Sequence, residues 1–317
     1  MSPEQYVSVV EPLTPAIERV KTVLFRPFDL GKWFVIGFTA WLAYLGQGGG
    51  GNGGGGSPPG GGHGQANPGQ MFNDLRNFAA ANMAWLIPLA VFLVFLGIAI
   101  WLLVVWLSSR GRFMFLHCVA LNKAEVKVPW HTFSKQGNSL FAFRLILHVI
   151  GIFGVLCPMV FVGWLIFAMV QAGQAAVGGI VGAAMLFMAF VAIAICLAVV
   201  ALFTKDFVVP IMFMRRRTCT AAWGDFMQLL GANKGRFIVY VLFKIVIAMA
   251  IGAMTMLIVC ATCCCAACIL AIPYIGTVLY LPILVFDRAY PLYYLQQYGP
   301  SYDVLTAVEP QPQPAPY

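Results

Sequence analysis

The sequence predicts an all-α integral membrane protein: six transmembrane helices in three pairs, each pair preceded by an amphipathic helix at the cytoplasmic interface. Three observations predict it. Hydrophobic residues make up 61% of the 317 and charged residues only 9%, with a mean hydropathy of +0.86. Soluble domains carry about 25% charged residues. Apolar runs long enough to cross a bilayer recur along the chain, and in lipid a run of about 20 apolar residues is stable as a helix that satisfies its own backbone. The Lys and Arg residues fall almost entirely on one side of the resulting layout. Length alone would suggest two soluble domains, but the composition points to one membrane domain.

The elements follow in order. Residues 1–30 are an N-terminal cytoplasmic interfacial segment. Glu4, Glu11, Glu18, Arg19, Lys21, Arg26 and Asp29 leave no apolar core for a cleavable signal there, so the first span is expected to serve as the insertion signal. The membrane domain covers 31–286. Its spans are expected at 31–46, 84–107, 141–170 and 175–203. The fifth and sixth share the run 237–286, which at 50 residues is too long for one crossing and fits two with a tight turn. Between the first two spans, 46–83 is a Gly-rich outer loop that reads as a flexible tether. It lacks the Gly-Lys-Ser/Thr ending of a phosphate cradle, and His63 within it is a bystander. Segments 108–140 and 204–236 are basic cytoplasmic loops. Residues 287–317 form a cytoplasmic tail, disordered from about 306, where VEPQPQPAPY alternates Pro with small polar residues.

Of the 19 Lys and Arg, 17 lie on one side of this layout, Arg76 alone on the other, and Lys244 inside a span. The positive side is expected to be cytoplasmic, with both termini inside and the protein in the cytoplasmic membrane of a prokaryote. The net charge of +8 then marks orientation and contact with anionic lipid headgroups through Arg215, Arg216 and Arg217. No soluble basic face for nucleic acid is evident.

An aromatic step precedes each pair of spans: Phe25 and Phe28, Trp130 and Phe133, Trp223 and Phe226. Positions i and i+3 share a helix face, so these six read as interfacial anchors. Trp130 and Trp223 are 93 residues apart, and Phe141 and Phe237 are 96 apart. At that second offset His148 matches Lys244, which suggests three copies of one module in the same orientation.

Two readings stand for the intramembrane ionisable residues Arg144, His148 and Lys244. They form a polar site for a ligand or ion, or Lys244 snorkels to the interface while a neutral His148 is hydrogen-bonded inside the bundle. The stretch CATCCCAAC, 260–268, holds five of the nine cysteines. Its two C-x-x-C pairs, Cys260/Cys263 and Cys265/Cys268, suggest a metal, but only Cys264 separates them and two zinc knuckles cannot fold from so short a stretch. Small-residue packing at a helix corner is the simpler reading, with a disulfide as the alternative. No His-Glu-x-x-His or Gly-x-Ser-x-Gly is present, and the histidines have no metal-ligand spacing. Asp206, and Asp287 with Arg288, sit at span exits and read as interface residues. The sequence therefore predicts no enzyme and no cofactor.

Five segments carry a family resemblance: FRPFDLGKWFVIGFTAWLAYLG (25–46), SRGRFMFLHCVA (109–120), VPWHTFSKQGNSLFAFRL (128–145), KDFVVPIMFMRRR (205–217) and IPYIGTVLYLPILVFDRAYPLYYLQQYGP (272–300). They resemble an uncharacterised family of bacterial and archaeal multi-pass membrane proteins. That family is loosely grouped with the membrane domain found beside glycerophosphoryl diester phosphodiesterases. The resemblance covers most of the chain outside the Gly-rich loop and the tail. It implies the membrane architecture and no catalytic residues. Three functions follow as expectations: a non-enzymatic scaffold, assembly or lipid-organising component; a small-solute transporter or channel with a polar site near spans three and five; and a membrane anchor for a separate enzyme. Gly151, Gly154, Gly178, Gly179 and Gly182 would allow the close helix approach that transport folds use.

Overall fold

The computed structural model describes residues 7–46, 82–171, 177–262, 265–270 and 272–306. Among these the protein is helical throughout. The helices are α1 (Leu13–Leu24), α2 (Leu30–Tyr44), α3 (Met83–Leu121), α4 (Lys127–Thr132), α5 (Ser134–Gln171) and α6 (Val177–Phe203). A π-helical turn (Thr204–Val208) joins α6 to α7 (Val209–Arg215), followed by α8 (Cys219–Ala232), α9 (Lys234–Ala261), α10 (Cys265–Leu270), α11 (Ile275–Leu279) and α12 (Leu281–Gln296). The glycine-rich stretch with His63 and the proline-rich tail lie outside the described residues.

Among the described residues, four helical stretches are long and apolar enough to cross a membrane: Met83–Leu121, Ser134–Trp164, Ala184–Arg215 and Lys234–Ala261. At most 11% of the most apolar window of any of them is covered by the rest of the protein. The six-span expectation meets the structure differently at its two ends. The expected first span is α2, which has 15 residues and a length of about 22 Å, short of a hydrocarbon core of about 30 Å. The run after Phe237 forms one unbroken helix to Ala261 and then breaks into α10, α11 and α12. Pro273 and Pro282 offer no backbone N–H to a continuing helix, and Tyr274 takes a positive φ of 70° between them.

Helix α3 has 39 residues, about 58 Å at a rise of roughly 1.5 Å per residue. Its first half is bare: Trp85, Phe92, Phe95, Ile100 and Leu103 are exposed. From Val105 onward the face changes, and Ser108, Arg112, Phe113, Leu116 and Val119 are buried. The segments read as basic loops at 108–121 and 204–215 thus continue helices. Their charged residues are accommodated there because other elements cover them.

A packed hub surrounds the second half of α3. Helix α2 lies antiparallel to it, with Lys32 Nζ donating to Asn122 Oδ1 at 2.7 Å and Ser108 Oγ donating to the Ala43 carbonyl at 2.9 Å. Gly111 makes the approach close, since a Cβ there would fall 2.6 Å from the Ala43 nitrogen and the Leu42 carbonyl carbon. Arg19 on α1 donates to the Val119 carbonyl at 3.0 Å and also to the Ala120 carbonyl, which satisfies two of the open carbonyls at the end of α3. The segment just before α1 docks on α12, where Tyr290 Oη donates to the Val9 carbonyl at 2.9 Å. Beyond α12, Asp303 accepts from Gln296 Nε2 at 2.8 Å and from the Leu305 amide at 3.0 Å. Burial pushes its carboxyl up, but hydrogen bonds from Thr306, Gln296 and Leu305 outweigh that and hold it below the usual range.

The hub core is aromatic. Phe207 stacks on Phe226 with centroids 5.2 Å apart and meets Tyr240 at 4.8 Å. Phe133 lies between Phe213 at 4.5 Å and Phe113 at 5.8 Å, both stacked. Offset and edge-to-face ring pairs add about 0.5–1.5 kcal/mol each beyond the area they bury.

Candidate functional site

The site is built where an apolar helix changes its pitch. Within 204–208 the Val209 amide reaches back five residues to the Thr204 carbonyl, and Pro210 has no N–H to return to the ladder. The widened turn sets the neighbours Lys205 and Asp206 into one buried cluster. It also leaves the Lys205 carbonyl open, and Arg288 Nη1 donates to it at 2.6 Å. Such turns occur often at functional sites.

Asp287 on α12 is the centre of the cluster. Lys205 Nζ approaches its Oδ2 at 2.5 Å and Lys244 Nζ its Oδ1 at 2.8 Å, while Tyr44 Oη donates to Oδ2 at 3.1 Å. Asp206, 0% exposed, accepts from Tyr240 Oη at 2.8 Å and pairs with Lys244 Nζ at 3.3 Å. Two carboxylates therefore face three cations. Asp206 Oδ1 and Arg288 Nε and Nη2 are buried with no hydrogen-bond partner.

Two further arginines adjoin this cluster. Arg112, 7% exposed, lines a void of about 10 Å³ together with Tyr44, Lys205 and Arg288. It also lines a much larger cleft of about 580 Å³ with Arg144, Leu147, His148, Gly151, Leu197 and Thr204. Arg144, also 7% exposed, donates Nη1 to Ser108 Oγ and Ser109 Oγ, both at 3.1 Å. Its backbone carbonyl lies 2.6 Å from His148 Nδ1. A carbonyl can only accept, so Nδ1 carries the proton. The His148 ring meets Trp101 edge-on at 5.5 Å.

The expected polar site is thus divided. Arg144 and His148 come together on the cleft, while Lys244 joins Asp206 and Asp287. Lys244 is held by two carboxylates. The cleft lies between α5 and α6, not between spans three and five. Sequence reasoning read Asp206, Asp287 and Arg288 as interface residues and passed over Arg112. The available signal was that Lys205-Asp206 and Asp287-Arg288 each interrupt strongly apolar surroundings with both signs of charge.

The interfacial anchors divide as well. Phe25 and Phe28 are exposed and pack on Trp33 at 5.5 and 5.9 Å. Phe133 and Phe226 are buried in the aromatic core, because their helix faces turn toward Phe213 and Phe207. Trp130 lies with Arg110 over its ring at 4.8 Å, and Trp223 packs on Phe226 at 5.6 Å. Of the arginine triplet, Arg215 and Arg217 share Asp225 at 2.8 and 3.3 Å, and Arg216 covers Phe133 at 4.1 Å.

Close helix approach is present at two of the proposed glycines. A Cβ on Gly151 would meet Leu197 Cδ1 at 3.6 Å, and one on Gly154 would meet Ile193 Cγ2 at 3.3 Å, while Gly182 faces open space. Cys260 and Cys268 are free and exposed. Cys263 lies outside the described residues, as does the Cys265 side chain. Among the described residues no group of three or more His, Cys, Asp or Glu is placed to hold a metal.

Long bare apolar helices joined to a hub with buried ion pairs define a helical membrane protein. The chain belongs to a family of unknown function (DUF7544), whose sequence profile matches residues 7–279. No curated protein and no solved structure matches it.

Proposed function

We propose that this chain is a multi-pass protein of the prokaryotic cytoplasmic membrane that organises lipid or holds a membrane assembly together, without catalysing a reaction. The observation that carries this reading is the division of the molecule into bare apolar helices and a close-packed basic hub. The bare stretches suit lipid. The hub, with Phe25, Phe28 and the half-exposed Arg217 at its surface, suits the cytoplasmic face and its anionic headgroups.

The six-crossing layout is part of the proposal. Gly46, at the end of α2, lies against Val104, 21 residues along α3 from its start at Met83. Ala261 lies 17 residues beyond Lys244, which touches Asp287. The second separation supports a return of the chain after α9 as the last crossing, with α2 as the short first one and both termini inside. The cleft beside Arg144 and His148 favours small-solute transport as the second reading. A membrane anchor for a separate enzyme is the third reading.

The test is labelling of intact cells with a membrane-impermeant maleimide, on a chain cleared of native cysteines. Arg217→Cys should react only after permeabilisation, and Arg76→Cys before it. The reverse pattern, or equal labelling of both, would sink the orientation and the multi-pass reading with it.

A further inference from the structure

The ion-pair cluster and the cleft together hold more positive charge than the protein neutralises. Lys205, Lys244 and Arg288 face Asp206 and Asp287, and each of these carboxylates is already engaged. Arg112 makes no side-chain hydrogen bond among the described residues, and Arg144 has only the neutral hydroxyls of Ser108 and Ser109. Both residues are 7% exposed, and both line the cleft. A buried cation without an opposite charge is costly by several kcal/mol, and an anion from outside the chain would remove that cost.

The cleft they line says what kind of anion. Its volume of about 580 Å³ falls in the range of about 300–1,000 Å³ of small-molecule sites. Arg112, Arg144, His148 and Thr204 form its polar end, while Leu147, Gly151, Ile152, Leu156, Leu197 and Ala201 form the rest. Ile152, Leu156 and Ala201 are exposed on the bare surface of α5 and α6, so the apolar end opens where acyl chains would lie. An inorganic anion would suit the arginines and leave the apolar wall uncovered. We infer that the cleft between α5 and α6 binds a lipid with an anionic head, its phosphate or carboxylate on Arg112 and Arg144 and a hydrocarbon chain along Ile152, Leu156, Leu197 and Ala201. Arginine suits this role because its planar donors bind such oxyanions in pairs.

The inference rests on the membrane reading above. Its test is native mass spectrometry of the full chain released from a neutral detergent, with added phosphatidylglycerol, phosphatidylcholine, oleate or inorganic phosphate. Phosphatidylglycerol should be retained about tenfold over phosphatidylcholine and be displaced by oleate. Displacement by inorganic phosphate at the same concentration would overturn the need for a chain. Arg112→Gln and Arg144→Gln should each lower retained phosphatidylglycerol about tenfold and leave phosphatidylcholine unchanged. Ala201→Phe narrows the apolar passage while keeping both arginines and should lower retention similarly. If the arginine variants do not fold, Ala201→Phe decides alone. Unchanged retention in folded Ala201→Phe, or equal retention of both phospholipids by the natural chain, would overturn the inference. A chain that resists alkaline carbonate extraction yet shows no lipid preference refutes this site only, while release by carbonate refutes the membrane reading itself.

Discussion

Asp287 shows how much depends on one side chain. It neutralises Lys205 and Lys244 together, so Asp287→Asn leaves two buried ammoniums with Asp206 alone. Removing one member of a buried pair costs about 3–5 kcal/mol. Asp287 keeps some exposure, which puts the expected loss near the low end, about 3 kcal/mol. Denaturant unfolding in detergent measures it. Lys244→Met should cost less, because Lys205 still pairs with Asp287, and combining it with Asp287→Asn should recover part of the loss. A loss under about 1 kcal/mol, the usual value of an exposed pair, would mean the cluster is solvated. Lys244 was legible in the sequence as a lone cation within an apolar run. Asp206 and Asp287 were not, because a charge at the end of such a run fits a water interface equally well. Their burial depends on partners 34 to 243 residues away in the chain.

The helices themselves were largely readable. Apolar runs marked α3, α5, α6 and α9, and the aromatic steps marked segments around α1, α4 and α8. The pairing of elements was not readable, since it rests on small contacts. Gly111 is the clearest instance. Adding a methyl there drives it into the α2 backbone at Leu42 and Ala43, and overpacking of this kind costs about 1–3 kcal/mol. Gly97, on the bare half of the same helix, has nothing within 4 Å of an added Cβ. Thermal unfolding should therefore show Gly111→Ala destabilised, with Gly97→Ala neutral or stabilised by up to about 1 kcal/mol. Equal effects at the two positions would contradict the packing of α2 on α3.

For the molecule as a whole, composition announced a membrane protein but not its division into two zones. Residues 83–103 and 105–121 of α3 belong to one apolar helix, yet the first is bare and the second is buried under α2 and α12. Apolar content reports only that a residue avoids water; whether lipid or protein covers it depends on the rest of the chain. Tryptophans mark both zones, which makes the division directly measurable. Trp164 is exposed on α5, whereas Trp223 is half-buried against Phe143 and Phe226 in the hub. The most direct test places single-tryptophan variants, each retaining Trp164 or Trp223, in bilayers of lipids brominated along the acyl chain. Strong quenching of Trp164 with little of Trp223 is the predicted result. Equal quenching of the two, or quenching of Trp164 by aqueous iodide instead, would contradict the account.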